Sequence, residues 1–520
     1  MSTKRRLLAA TGGMAAVTLA SRISGLVRDK VVAYLLGAGL VADAFYTAFR
    51  IPNMFRQLLA EGALHAAFIP TLAELKSSGD ERRARAFVRA MTSLLLLALP
   101  VIVAGGVLAA PWLVHLFAAK FAANPAKFDL TVRLTRLMFP YLGLISLAAL
   151  AQGVLNASDR FLLPASTPIA LNLCIVAGTV TAVTVFGGRP EWMAFGVLAG
   201  GFAQLAVQWA GCGRVGLPLV PGPGVTRIPE IRRVLLKMAP TVTTLGIYPL
   251  TVLLSTRFAS EVGEGAVTCI YNASRLNELV YGVVIVQLTS AVLPMLAAEK
   301  LASEAAARGT LGFAIRLLSA VSLPSTAFSV VLATAIAGAF FGGGKYGAAS
   351  VQTTAAALVM YSLGMPFLGL TKLLASASFA WNDTRSPVIA SVVNLVVFFA
   401  LGVALTGTFG VRGVAAATSG GQVANAATLL WLDGRHRRLP RFLEVLPAIA
   451  RHLAAAAGLG LVAFYLERLA PVPLRTSVRS LAQLSGYAVI CGAVYVAILV
   501  VVGSEEWREA RGFLRRRRSS

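Results

Sequence analysis

The chain has 520 residues, of which 57% are hydrophobic and only 13% are charged, and its formal net charge is +25. The charged fraction is about half that of an average soluble domain, and the mean hydropathy of +0.75 is too apolar for one. These values exclude an ordinary soluble enzyme and indicate an integral membrane protein, and the basic residues are too dispersed to predict a nucleic-acid partner.

Apolar segments long enough to cross a bilayer recur along the whole chain, and we predict about fourteen transmembrane helices. The expected fold class is therefore an all-α polytopic membrane protein. The opening segment also has features of a secretory signal peptide, but further membrane segments follow it, which favours a first span. The expected spans are 7–36, 40–74, 86–118, 130–157, 163–187, 192–212, 239–260, 265–298, 310–341, 350–380, 386–407, 412–432, 445–467 and 480–502.

Basic residues are distributed unequally between the loops on the two sides of the membrane. The loops "VFGGRPEW" and "FFGGGKYGAA", which follow odd-numbered spans, hold one basic residue apiece. Loops after even-numbered spans carry clusters within 82–89, 214–237 and 435–441, and the tail "RGFLRRRRSS" lies on the same side. Because short cytoplasmic loops are enriched in Lys and Arg, both termini are expected to be cytoplasmic.

Motifs of enzymes and metal sites are missing from the sequence. Walker, GxSxG and HExxH patterns do not occur, so the sequence contains no motif that supports ATP-driven transport or hydrolysis. The cysteines fall singly in or near apolar segments without a CxxC pair, which predicts packed thiols; they are Cys174, Cys212, Cys269 and Cys491. We therefore expect a transporter with no metal site and no bound cofactor.

The two halves of the chain resemble each other on either side of the Pro/Gly-rich segment "GLPLVPGPGV". The segment "YTAFRIPNMF" (46–55) aligns with "YNASRLNELV" (271–280), and "LNLCIV" (171–176) aligns with "VNLVVF" (393–398). This order predicts a duplicated six-helix unit, whose copies would be related by a pseudo-two-fold axis along the membrane normal. The segment "TRIPEIRRVLLK" between them predicts an interfacial helix on the cytoplasmic surface.

The stretch "SRISGLVRDK" (21–30) places charges between two apolar runs. An Arg at the centre of a membrane helix costs about 2.5–3.5 kcal/mol, so Arg22 and Arg28 favour a functional role over a structural one. Arg22, Gly25 and Asp29 fall on one face of a straight helix, and Asp29 is expected to pair with Arg22 or with an Arg of another helix. Ser21, Ser24 and Gly25 also make a bend plausible.

The second span adds further charges, and the eighth span repeats one of them. Asp43, Arg50 and Arg56 lie in the second span, and Arg275 is the duplicate of Arg50. For Arg50, a structural ion pair is as plausible as a ligand role. Arginines that converge on a water-filled cavity predict an anionic ligand, and their planar guanidinium groups suit phosphate.

Three segments carry a resemblance to a known family: "SRISGLVRDKVVAYLLGAG", "ADAFYTAFRIPNMFRQLLAEGALHAAFIP" and "GVLNASDRFLLPASTPIALN". They resemble the N-lobe of the MurJ (MviN) lipid II flippases, in the multidrug/oligosaccharidyl-lipid/polysaccharide exporter superfamily. The resemblance implies that undecaprenyl-diphosphate-linked peptidoglycan precursor moves from the cytoplasmic to the periplasmic leaflet of the bacterial inner membrane. It also implies that Arg22, Arg28, Arg56 and Arg275, with Asp29 and Asp43, form the substrate site.

The resemblance also implies a division of the chain. The expected parts are an N-lobe (1–215), the linker with its interfacial helix (216–238), a C-lobe (239–435), two helices that form a groove for the lipid tail (436–503) and a basic cytoplasmic tail (504–520). The partners are lipid II and the bilayer, the protein is expected to act as a monomer, and transport is expected to be coupled to the membrane potential or to a proton or sodium gradient.

Two alternatives remain open at this point. One is a flippase for another lipid-linked oligosaccharide, because arginine recognises the diphosphate and says little about the sugar. The other is a multidrug exporter of the same superfamily, although an exporter of cations needs an acidic cavity. A membrane glycosyltransferase is disfavoured because the external loops are too short to hold its catalytic carboxylate or His.

Overall fold

The computed structural model describes residues 3–58, 64–223, 228–280, 286–436, 438–440 and 442–502, and this part of the chain is almost entirely α-helical. The first eleven helices are α1 (Thr3–Leu36), α2 (Leu40–Phe55), α3 (His65–Ser77), α4 (Glu81–Leu108), α5 (Ala110–Phe117), α6 (Pro125–Met138), α7 (Pro140–Asn156), α8 (Leu162–Thr184), α9 (Glu191–Arg214), α10 (Pro229–Leu245) and α11 (Ile247–Val262). A short 3-10 helix, Ala119–Ala123, precedes α6.

The remaining helices are α12 (Ala266–Val280), α13 (Val286–Ala302), α14 (Glu304–Val331), α15 (Ala333–Phe341), α16 (Ala348–Ala380), α17 (Arg385–Phe409), α18 (Val411–Arg435), α19 (Phe442–Leu469) and α20 (Val478–Val501). The chain forms two compact units, Met1–Thr268 and Cys269–Ser520. The first turn of α12 thus belongs to the first unit.

Nine helical segments of the described chain are long and apolar enough to cross a membrane. They are α4, α6 with α7, α8, α9, α14, α16, α17, α19 and α20. The other expected spans correspond to α1, α2 with α3, α10 with α11, α12 with α13, and α18. The first four of these contain charged residues or helix interruptions, and α18 is rich in Gly and Ala. The fold is a multi-pass α-helical membrane protein, and the number fourteen stays a prediction.

Glycine brings α8 and α9 into close contact in the first unit. A Cβ atom at Gly196 would lie 2.6 Å from the carbonyl oxygen of Cys174, and one at Gly178 would lie 2.5 Å from that of Trp192. The second unit packs α17 against α18 in the same way, since a Cβ atom at Gly421 would meet the Asn394 side chain at 2.3 Å. Small residues allow this close approach, which drives helix association in lipid.

Two turns at matching positions of the predicted copies share a rare backbone conformation. Asp159, between α7 and α8, has φ 56°, and Asn382, between α16 and α17, has φ 59°. Positive φ is uncommon outside glycine and is tolerated best by Asn and Asp, whose side chains bond to the local backbone. The same turn therefore recurs at corresponding points of the two predicted copies.

The predicted interfacial helix corresponds to α10, which packs against α3 and α4 within the first unit. Ile231 and Val234 belong to a buried apolar cluster with residues of α3, α4 and α7. The buried Glu230 carboxylate lies 2.7 Å from Arg83 of α4, and Arg233 lies 3.1 Å from Glu74 of α3. Because the helix continues to Leu245, the predicted boundary at residue 238 falls inside α10.

The last two described helices pack on α14 and α15 within the second unit. Their shared core contains small residues of α19 and larger side chains of α20, such as Leu484 and Tyr487. The Tyr495 hydroxyl donates to the carbonyl oxygen of Ala320 at 2.9 Å, which fixes α20 against α14. The basic tail (504–520) lies outside the described residues.

Candidate functional site

The charges of "SRISGLVRDK" lie on α1, which continues as one helix through Ser21, Ser24 and Gly25. Arg28 and Asp29 are buried, with 7% and 0% of their surface exposed. The Nε and Nη2 atoms of Arg28 donate to Oδ1 of Asp29 at 2.9 and 2.6 Å. Asp29 thus pairs with Arg28, the preceding residue on α1. The sequence predicted a pair with Arg22 or with an Arg of another helix.

Asn172 of α8 also binds Arg28. Its Oδ1 accepts from Nη1 of Arg28 at 3.0 Å, and its Nδ2 donates to Ser24 Oγ at 2.8 Å. The ring of Phe49 on α2 lies 6.0 Å from the Arg28 guanidinium carbon. A guanidinium held by a carboxylate, an amide and an aromatic ring has a defined orientation. The cluster therefore holds the Arg28 guanidinium in one orientation within apolar helices.

Arg22 and Arg56 are half-buried on different elements of the first unit. Arg56 follows the last residue of α2, where residues 56–58 form a π-helical turn, and its Nε donates to Asn53 Oδ1 at 2.8 Å. Such irregular helical turns are frequent at functional sites. Pro52, inside α2, removes one backbone donor just before this turn, so the irregularity has a local cause.

Asp43, in the first turn of α2, is fully buried, and its side chain accepts hydrogen bonds from Lys127, Gly265 and Thr268. Its Oδ2 accepts from Lys127 Nζ at 2.8 Å and from the Gly265 N–H at 2.7 Å. Its Oδ1 accepts from the Thr268 N–H at 2.9 Å and from Thr268 Oγ1 at 2.7 Å. The carboxylate thus satisfies backbone donors at the start of α12, where the helix dipole also favours a negative charge.

The turn before α12 fits closely against the turn before α2. Gly265 has φ 81°, and a Cβ atom there would lie 2.7 Å from the Ala38 carbonyl oxygen. Glu264 accepts a hydrogen bond from the Leu40 N–H at 3.0 Å. Glycine is required at residue 265 by both its backbone angle and this contact. Asp43 is therefore one part of a tight junction between α2, α6 and the first turn of α12.

Arg50 and its proposed duplicate Arg275 have different surroundings. Arg50 is 7% exposed, and its Nη1 donates to Thr256 Oγ1 of α11 at 2.6 Å. Arg275, in the second unit, lies on α12 with 35% of its side chain exposed, and its Nη1 is 3.0 Å from Glu278 Oε2. Solvent screens a partly exposed ion pair of this kind, so the contact with Glu278 contributes little stability.

Lys127 and Asn172 contact the predicted site but were not singled out by the sequence as site residues. Asn172 aligns with Asn394 in the repeated segments 171–176 and 393–398, and this alignment was the sequence feature that could have identified it. Lys127 follows Pro125 near the start of α6, in a polar segment that resembles an ordinary external loop. Its 5% exposure and its contact with Asp43 follow only from the tertiary structure.

Asp383, in the turn between α16 and α17 of the second unit, is held by protein donors. Its Oδ2 accepts from Ser386 Oγ and from Arg438 Nη1, each at 2.7 Å, and its Oδ1 accepts the N–H groups of Arg385 and Ser386 at 3.0 Å. Burial opposes its ionisation, but the Ser386 hydrogen bonds and the Arg438 charge outweigh burial and hold the pKa of Asp383 well below its usual range. Asp383 caps α17 in this arrangement.

Known transporters share this architecture. The structure of a lipid II flippase MurJ in an inward closed conformation matches with a TM-score of 0.79 at 21% identity, covering 94% of this chain and 98% of that chain. An inward-facing multidrug resistance MATE transporter of the MOP superfamily matches with a TM-score of 0.66 at 15% identity, covering 82% and 98%. At these identities the likeness establishes the fold.

Sequence comparisons place the chain more narrowly than the fold does. Lipid II flippase MurJ of Burkholderia cenocepacia is 35% identical over 403 residues, 76% of this chain and 77% of that protein. Probable lipid II flippase MurJ of Rhizobium meliloti is 33% identical over 509 residues, 94% of this chain and 92% of that protein. Residues 32–478 also match the family model for lipid II flippase MurJ. The chain belongs to the MurJ lipid II flippase family.

Proposed function

We propose that this protein is a lipid II flippase, which moves undecaprenyl-diphosphate-linked peptidoglycan precursor from the cytoplasmic to the periplasmic leaflet. The observation that carries the proposal is the buried Arg28, oriented by Asp29 and Asn172 within apolar helices. Membership of the family, over residues 32–478, supports lipid II as the substrate. The protein is a transporter in this proposal and catalyses no covalent step.

The diphosphate is the part of the substrate that arginines recognise. Arg22, Arg28, Arg56 and Arg275 supply guanidinium groups whose planar donors match two phosphate oxygens at a time. Asp29 orients Arg28 from the adjacent position, and Asp43 acts further away by holding the first turn of α12. Arg275 lies two to three turns along that same helix, so the placement of α12 affects where its guanidinium lies.

The transport cycle that fits this chemistry is alternating access. The diphosphate enters a cavity open to the cytoplasm, binds the arginines and is released on the external side. The prenyl tail stays in lipid and follows the apolar surface of α19 and α20. Exposed apolar side chains on these helices include Leu461, Phe464 and Val489, which suit a hydrocarbon partner.

The membrane orientation follows the distribution of basic residues. We place the protein in the bacterial inner membrane with both termini in the cytoplasm, and we expect it to act as a monomer without a cofactor. Moving one elementary charge across the membrane changes its electrostatic energy by about 2.3 kcal/mol per 100 mV of potential. The potential therefore favours return of the empty cationic site to the cytoplasmic side, and a proton or sodium gradient is the other candidate for coupling.

The experiment that tests the function measures transbilayer movement of lipid II. Cells depleted of their own flippase express this protein or Arg28→Ala at matched levels, and the fraction of lipid II in the outer leaflet is measured. We expect movement with the parent protein and none with the variant. Absence of movement with the well-folded parent refutes the proposal, as does export of cationic drugs with no effect on lipid II.

The energy source needs a second measurement on the same cells. Collapsing the membrane potential with an ionophore, while the pH gradient is held constant, should slow transport by the parent protein. Unchanged turnover after collapse contradicts coupling to the potential, and replacing sodium in the medium then separates the two remaining gradients.

A further inference from the structure

Lys127 carries a charge that the proposed transport cycle does not otherwise use. It is 95% buried, its Nζ lies 2.8 Å from Asp43 Oδ2, and it sits 4.2 Å from the centre of the Phe121 ring. Burying an ammonium group requires compensation, and here the carboxylate and the ring provide it. The converse also holds, because Lys127 is the cation that compensates the fully buried Asp43 carboxylate.

Asp43 in turn holds the beginning of α12. Four donors converge on its two oxygens, and three of them are the Gly265 N–H, the Thr268 N–H and the Thr268 hydroxyl. A carboxylate binds such donors more strongly than a neutral acceptor does, because these hydrogen bonds are charge-assisted. The placement of the first turn of α12 therefore depends on the Asp43 carboxylate and on the cation that compensates it.

We propose that Lys127 is a positioning residue for transport, which compensates the buried charge of Asp43 and thereby fixes the first turn of α12, the helix that carries Arg275. This inference rests on the proposed function for its effect on lipid transport. Its structural part, that Lys127 controls the order of residues 265–268 through Asp43, is independent of the substrate. Lys127 does not contact the lipid in this arrangement.

The discriminating variants separate charge compensation from simple packing. Lys127→Met keeps the apolar stem and removes the charge, which leaves Asp43 buried without a cation. Asp43→Asn with Lys127→Met removes both charges, and a neutral pair is tolerated better than a single buried charge. Lys120→Met is the matched control, because Lys120 lies on the same connection and its side chain is exposed.

The first measurement is hydrogen–deuterium exchange of the purified full-length variants in detergent micelles or nanodiscs. Lys127→Met should speed exchange in a peptide covering residues 263–270 by about tenfold, while exchange in α17 and α18 stays unchanged. The double variant should return most of the protection, and Lys120→Met should match the parent. A general loss of stability would speed exchange everywhere and would overturn the proposal.

The second measurement is lipid II movement by the same variants in depleted cells. We expect Lys127→Met to lower the rate about tenfold or more, the double variant to be faster than Lys127→Met, and Lys120→Met to be within about twofold of the parent. Equal rates and exchange for Lys127→Met and the parent overturn the inference, as does a double variant no better than Lys127→Met. If the parent protein moves no lipid II, the proposed function fails, while the exchange experiment still decides the role of Lys127.

Discussion

The Arg28 Nη2 atom lies 2.6 Å from Oδ1 of Asp29, the next residue along α1. Both side chains are buried, so the pair is protected from solvent screening. A pair of this kind has two possible roles: it stabilises the fold, or it orients a guanidinium for a ligand. Removing one partner cannot distinguish these roles, because in both cases the charge left behind lowers the stability of the protein.

Removing both charges of this pair distinguishes the structural role from the ligand-binding role. Arg28→Ala alone should abolish lipid II movement and lower stability by about 3–5 kcal/mol, because it leaves Asp29 buried without a cation. Adding Asp29→Asn should recover most of the stability, measured by thermal unfolding, and none of the transport. Recovery of transport in the double variant would assign Arg28 a structural role.

Asn172 should influence transport through its hydrogen bond to Arg28. Asn172→Asp places a second carboxylate beside the guanidinium, where it competes with the substrate diphosphate. We expect a rise of about tenfold in the lipid II concentration needed for half-maximal transport, with a smaller change in the maximal rate. Asn172→Ala, which removes the bond without adding a charge, serves as the comparison, and equal effects of the two substitutions would count against competition.

Close packing of α8 against α9 should not tolerate a side chain at Gly196. Gly196→Ala directs a methyl group to within 2.6 Å of the Cys174 carbonyl oxygen, so the helices must separate. A destabilisation of about 1–3 kcal/mol is expected from such overpacking. Gly213→Ala is the matched control, because a Cβ atom there meets nothing within 4 Å and alanine favours the helix. Equal melting temperatures for both variants would contradict this packing.

The Asp383–Arg438 pair should give a pH-dependent contribution to stability at one end of the second unit. Because the folded-state pKa of Asp383 is lowered, its stabilisation is complete above its unfolded pKa of about 4 and is lost as the pH falls towards the folded value. Asp383→Asn should therefore be less stable than the parent by about 2 kcal/mol at pH 7. The difference should shrink below about pH 4, and a difference that grows on acidification would reverse the assignment.

The division of the chain remains a prediction in its details. The boundary between the two compact units falls between Thr268 and Cys269, whereas the sequence predicted that the second lobe begins at residue 239. Pro/Gly content marked 216–225 as a linker, but the helix after it continues through Pro240 to Leu245. A change in composition shows where a connection lies, but it does not show at which residue the neighbouring helix ends.

The sequence by itself determined the fold class, the family and the residues that needed explanation. Hydropathy identified α4, α8, α9, α14, α16 and the later membrane helices, since a long apolar run has few alternatives to a helix in lipid. The charges in "SRISGLVRDK" were conspicuous for the same reason, because each is costly among apolar neighbours. Local pattern is sufficient where the membrane itself imposes the constraint.

Only the tertiary structure decided which charges are partners. Asp29 pairs with the adjacent Arg28, and Asp43 pairs with Lys127, which lies 84 residues away along the chain. Helical spacing gives the face on which a side chain begins, but a long side chain and the approach of another helix decide what it contacts. Asn172 and Lys127 became part of the site because folding brought α8 and α6 beside α1 and α2, a juxtaposition that no local pattern encodes.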